Sequence, residues 1–194
     1  MTQFLIDLLE SPWAYAIVFG IAALDAVFPA VPSETLAITA GVLSGVGKLH
    51  VLPSIASAAV GAFVGDSTSY VIGRTLGRPA QQRVFRGARS KRALGWAESQ
   101  LEQRGGYLIL VARFVPGGRT ATTFTCGLVR FPYTRFAAYE AIAAVAWASY
   151  AVLLGYLGGR AFEDRPLLAL GVALGIAFGI TAVVEVVRRL RRTS

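Results

Sequence analysis

The stretch RFVPGGRTATTFTCGLV, Arg113 to Val129, sets two arginines, a proline and two adjacent glycines at the head of a run that otherwise reads as apolar and membrane-buried. An unpaired charge at the centre of a bilayer costs several kcal/mol, so arginines placed there imply counter-charges or an anionic ligand nearby. Proline removes a backbone donor and glycine lowers helix stability, so the run is also a poor straight span.

The surrounding chain supports a membrane setting. Of its 194 residues, 55% are hydrophobic and only 15% charged, where a water-soluble domain carries about a quarter charged residues. Four segments, Trp13–Phe28, Val51–Ile72, Phe136–Leu157 and Leu167–Val187, approach or exceed the roughly 20 residues that cross a bilayer as helix. The N-terminus reads poorly as a signal peptide, because Asp7 and Glu10 stand where positive charge is expected.

The net charge of +8 is localised. Arg74, Arg78, Arg83, Arg86, Arg89, Lys91, Arg92 and Arg104 form one cluster, and Arg188, Arg189, Arg191 and Arg192 form another. Both abut apolar segments, which argues against nucleic acid and places both clusters at the cytoplasmic face beside anionic lipid. The single cysteine, Cys126, excludes an intrachain disulfide and a cysteine-rich metal site, the lone His50 reads as an interfacial residue, and no metal or cofactor is implied.

A second broken apolar run, Phe28 to Val46, carries Pro29, Pro32 and Glu34. Both runs read as re-entrant hairpins, whose irregular backbone is shielded by neighbouring helices. The halves share an order of features. VPSET (Val31–Thr35) leads to Gly41 and VPGGRT (Val115–Thr120) leads to Gly127; the following spans end in GRTLGR (Gly73–Arg78) and GYLGGR (Gly155–Arg160). The expected fold is an all-α integral membrane protein of about four transmembrane helices plus two oppositely oriented re-entrant hairpins in an inverted repeat, the construction of many secondary transporters. Its parts are a first half 12–78 with hairpin 28–46, a basic cytoplasmic segment 79–104, a second half 105–160 with hairpin 107–129, and a C-terminal helix 166–187, both termini being cytoplasmic.

That geometry brings Arg113 and Arg119 towards Glu34 and Asp66 around one cavity. Arginine's planar fork suits phosphate, and Gly117 and Gly118 let backbone N–H groups approach the same anion. Glu34 and Asp66 are then the charge partners or proton carriers, with Asp25 and Tyr70 in support. Tyr70 lies four residues after Asp66, on the same helix face, where its phenol is expected to bond the carboxylate. Gly61 and Gly65 are expected to permit close helix packing. No HExxH, GxSxG or Walker motif occurs, and Ser33 beside Glu34 has no histidine to activate it, so the reading is a transporter rather than an enzyme.

Across about residues 10 to 160 the chain resembles the DedA family of small bacterial inner-membrane proteins, related to the SNARE-associated or VTT-domain proteins. The resemblance rests on FPAVPSETLAITAG (Phe28–Gly41), GAFVGDSTSYVIGRTLGR (Gly61–Arg78) and RFVPGGRTATTFTCG (Arg113–Gly127). It implies translocation of undecaprenyl (polyprenyl) phosphate for carrier-lipid recycling, with protons as the coupling ion. A less selective phospholipid scramblase or a small-anion transporter is the alternative. It also implies that Glu34, Arg113 and Arg119 are the essential residues, with Asp66 a candidate second acid. The expected partners are membrane lipids, the polyprenyl phosphate substrate and protons.

Overall fold

The computed structural model describes residues 13–28, 33–84, 99, 101, 106–113, 118–161 and 175, with the side chains of 77–84 left aside. The expected C-terminal helix and most of the basic segment lie outside them. Among the described residues five helices stand out: α1 (Trp13–Val27), α2 (Ser33–Gly45), α3 (Val51–Val84), α4 (Gly118–Leu128) and α5 (Tyr133–Ala161). A short helical piece, 106–112, precedes the turn at Arg113.

Two of these helices are long and apolar enough to cross a membrane, over Val51–Leu76 and Tyr133–Ala161. Their outward faces are apolar: Val60, Val64 and Val71 on α3, and Ile142, Val145, Leu153 and Leu157 on α5, are exposed. Inside lie Ser54, Asp66, Ser69, Thr123 and Glu140. This distribution suits a hydrocarbon surround, where oil-facing side chains cost nothing and polar groups must find partners within the protein. α1, expected as a full span, is described over 15 residues from Trp13, about 22 Å of apolar helix. Of the first expected hairpin, the described residues contain a single helix, α2; of the second they contain 106–112 and α4 on either side of the Pro-Gly-Gly break.

Small residues decide which helices touch. On α3, a methyl group at Gly61 would overlap the Phe19 carbonyl of α1, and one at Gly65 the Ala23 carbonyl. Ala14, Val18, Ala22, Ala58, Ala59 and Ala62 fill the same cluster. With so little side-chain bulk, the two backbones approach closely, the usual basis of helix association in lipid.

A second pair of contacts repeats itself. Gly41 on α2 lies against the Val152 carbonyl and Gly155 of α5, while Gly155 lies against the Ile38 carbonyl. Gly127 on α4 lies against the Tyr70 carbonyl of α3, and Gly73 against the Phe124 carbonyl. In all four cases the overlapping carbonyl belongs to the residue three before the partner glycine, so the α2/α5 and α4/α3 crossings have the same register. Each short helix is thus clasped by the long helix of the other half.

Both short helices also stop in the same way. After α2, Lys48 N–H donates to Leu43 O (2.9 Å) and Gly47 N–H to Ser44 O (3.3 Å), with Gly47 at φ 80°. After α4, Phe131 N–H donates to Cys126 O (2.9 Å) and Arg130 N–H to Gly127 O (3.0 Å), with Arg130 at φ 58°. This paired 6→1 and 5→2 pattern satisfies the last carbonyls and turns the chain into the next long helix. At the second cap an arginine occupies the left-handed conformation that glycine occupies at the first.

Candidate functional site

Every helix but α2, and the turn at Arg113, sends one charged side chain to the middle of the bundle. Asp25 comes from the last turn of α1, Asp66 from α3, Arg113 from the turn after 106–112, Arg119 from the first turn of α4, and Glu140 from α5. They form a chain. The Arg113 Nη1 donates to Asp66 Oδ2 at 2.9 Å and also to Glu140 Oε1. The other Asp66 oxygen accepts from Arg119 Nε at 3.1 Å. Arg119 Nη1 reaches Asp25 Oδ2 at 3.4 Å, and the same oxygen accepts the Ser33 hydroxyl of α2 at 2.5 Å. Asp66 therefore bridges two arginines with one oxygen each.

Burial is graded along this chain. The side chains of Asp66, Arg113 and Glu140 are 0%, 1% and 1% exposed, against 12% for Arg119 and 17% for Asp25. Ions this deep persist only when paired and hydrogen-bonded. Arg113 has further support from Trp147 of α5, whose ring centroid lies 5.3 Å from the guanidinium carbon. Thr120 Oγ1 donates to the Ala26 carbonyl at 3.4 Å, tying the first turn of α4 to the end of α1. Deeper in, Thr123 bonds Ser69.

The pairing is incomplete on one side. Among the described residues, Arg113 Nε, Arg113 Nη2 and Arg119 Nη2 are buried without a hydrogen-bond partner. A buried donor left unmade costs about 1–3 kcal/mol, more when charged. Two arginines thus hold unspent N–H groups next to the start of α4, where the first amides of a helix also favour negative charge.

The structure rearranges the expected roster. Asp66, Arg113, Arg119 and Asp25 come together. Glu34 does not join them: it is the second residue of α2, half-buried, and among the described residues it makes no ion pair. Its neighbour Ser33 faces Asp25, and one residue's rotation along the helix turns Glu34 about 100° away. Gly118 opens α4, while Gly117 lies outside the described residues.

Tyr70 is a correction. Its hydroxyl donates to the Phe131 carbonyl (2.5 Å) and accepts from Arg74 (2.8 Å), not from or to Asp66. Its ring stacks on Phe136 at 4.8 Å, and both Asp66 oxygens are already held by arginine. Tyr70 secures the cap of α4 instead.

Glu140 is absent from the sequence reading. The signal was available: it is the one acid inside the apolar segment Phe136–Leu157, the same argument that singles out Asp66. It carries no nearby proline or glycine break to draw attention to it.

Comparison with known proteins follows the same landmarks. The VTT domain model matches residues 31–157, which contain Asp66, Arg113, Arg119 and Glu140. Protein DedA of Escherichia coli is 31% identical over 191 residues, covering 92% of this chain and 84% of that protein. An uncharacterised membrane protein of Synechocystis is 34% identical over 157 residues, 79% of this chain and 71% of its own. A Mycobacterium leprae membrane protein is 30% identical over 156 residues, 78% of this chain and 68% of its own. No solved structure matches the chain. With relatives named as membrane proteins, apolar outer faces and a buried polar centre, the chain is a membrane protein, and it belongs to the DedA family of VTT-domain proteins.

Proposed function

We propose that this protein moves polyprenyl phosphate, undecaprenyl phosphate in a bacterial cytoplasmic membrane, from one leaflet to the other, with both termini in the cytoplasm. The observation that carries the reading is the set of three buried nitrogens on Arg113 and Arg119 that have no hydrogen-bond partner among the described residues. A phosphate monoester offers the several acceptor oxygens those groups lack, and guanidinium engages it through parallel hydrogen bonds. The prenyl tail stays in lipid, against the apolar outer faces of α3 and α5. Only the phosphate is rejected by hydrocarbon, so only the phosphate needs protein, and no covalent step is required.

In this reading Arg119, the more exposed of the pair, meets the phosphate first and Arg113 receives it at the deeper position. Asp66 holds both guanidinium groups in register. Glu34, half-buried on α2 and outside the ion-paired chain, is the proton carrier in this reading. Membrane transport fits the family assignment; the arginine geometry supports a phosphate monoester as the group bound, and the polyprenyl carrier is what the resemblance to the DedA family implies.

The test is leaflet exchange in vesicles containing the purified protein, measured separately for polyprenyl phosphate and for ordinary phospholipids. Polyprenyl phosphate should be accelerated selectively, and Arg119→Gln should abolish the acceleration. Equal acceleration of both lipids would replace the reading with that of a less selective scramblase.

A further inference from the structure

The ion-paired chain contains three carboxylates, Asp25, Asp66 and Glu140, and two guanidinium groups. They are not equally well served. Asp66 has an arginine on each oxygen, and Asp25 has Arg119, the Ser33 hydroxyl and the greater exposure. Glu140 is 1% exposed and among the described residues has one ionic partner, Arg113, through the nitrogen that also serves Asp66. That nitrogen carries two hydrogens, so the two carboxylates use both. The groups facing Glu140 are Asp66 from α3, Arg113 from the turn before α4, and Arg119 and Cys126 from α4 itself. Trp147, on its own helix, lies over Arg113.

We propose that Glu140 is an internal competitor for the charge of Arg113: its carboxylate holds Nη1 in the empty site, and a phosphate monoester binds tightly at the Nε and Nη2 edge, unpartnered among the described residues, only as Glu140 accepts a proton. The inference rests on the reading of the arginines as phosphate ligands. Adding a phosphate anion to a buried site already holding more acids than bases forces negative charges together, and removing one of them by protonation relieves the repulsion. A protonated Glu140 also becomes a donor, able to bond Asp66 or a phosphate oxygen where the ionised form would repel both. The balance is one proton taken up as the ligand enters and one released as it leaves. Glutamine at this position imitates the protonated state, with no charge and an N–H donor.

The experiment uses the full chain purified in detergent, with Trp13→Phe and Trp96→Phe so that Trp147 is the sole indole and reports on Arg113. Without ligand, Trp147 emission followed against pH should show a transition that Glu140→Gln removes. With farnesyl phosphate as the probe, the protein carrying Glu140 should bind about tenfold more tightly at the acid end of that transition than at the alkaline end, a coupling of ordinary allosteric size. The ligand's own titration has the opposite sign, because a phosphate monoester loses charge on acidification. Glu140→Gln should bind tightly at both ends.

A Trp147 transition that persists in Glu140→Gln, or a variant that binds no more tightly than its parent at the alkaline end, would overturn the proposal. Should the variant fail to fold, proton uptake by the parent in weakly buffered solution decides the matter: uptake on addition of farnesyl phosphate supports the exchange, and none refutes it. A Trp147 transition lost in Glu140→Gln, with neither protein binding farnesyl phosphate, would sink phosphate transport while leaving the Glu140–Arg113 switch in place.

Discussion

At the scale of the residue, the arginines answer to two roles that make different demands. As neutralisers of Asp25 and Asp66, any cation suffices; as phosphate ligands, the fork matters. Arg119→Lys keeps the charge but loses the parallel donors, so transport should fall by about one to two orders of magnitude while folded yield changes little. Reconstituted exchange rates beside chromatographic yield separate the two. If Arg119 serves only to balance its acids, lysine transports normally. The pairing Arg119–Asp25 at 3.4 Å, long and partly exposed, offers a control. Asp25→Asn combined with Arg119→Gln should fold and still transport nothing, because removing both members of a pair restores balance but not a ligand's counter-charge.

At the scale of the element, the cap of α4 carries a cost that the cap of α2 avoids. Arg130 holds φ 58° where Gly47 holds φ 80°. A side chain in the left-handed region is destabilising by about 1–2 kcal/mol. Arg130→Gly should therefore raise stability by about 1 kcal/mol, read as a higher melting temperature in detergent, provided its exposed guanidinium does nothing else. An unchanged or lower melting temperature would mean that the arginine earns its place at the membrane surface. The opposite change at a crossing, Gly41→Val, pushes a branched side chain into the Val152 carbonyl and should collapse folded yield, with Gly127→Val doing the same against Tyr70.

Much of this was legible in residue order, and the part that was not has a physical reason. Glycines 41, 73, 127 and 155 mark the repeat in sequence, because a helix crossing at backbone distance needs positions without side chains. Which glycine meets which was hidden: α2 chooses α5 and α4 chooses α3, and partner choice is a property of packing. Asp66 was legible as an acid in an apolar run, and Glu140 by the same rule. Glu34 was harder to place, since a one-residue step along α2 separates a residue facing Asp25 from one facing elsewhere. Tyr70 met the spacing rule for its helix but obeyed a stronger local demand, the free carbonyl of Phe131.

At the scale of the whole molecule, the repeat predicts sidedness. Single cysteines at Lys48 and Arg89, in a Cys126→Ser background, should react with impermeant reagent from opposite faces of the membrane, Lys48 from outside. Reaction of both from one face would undo the inverted arrangement and the proposed path between leaflets. The exchange of short helices between halves has another side, which concerns time. α2 ends at Gly45, yet the surface it packs on lies around Val152 to Gly159, near the end of α5. At the usual pace of synthesis, about 5–20 residues per second, roughly 5–20 s separate the two. A helix with an acid in its first turn and a bare glycine face must wait in a nascent bilayer protein for that long, so α2 is among the first elements made and among the last to be buried, and the interval is the window in which the biosynthetic machinery has to shelter it.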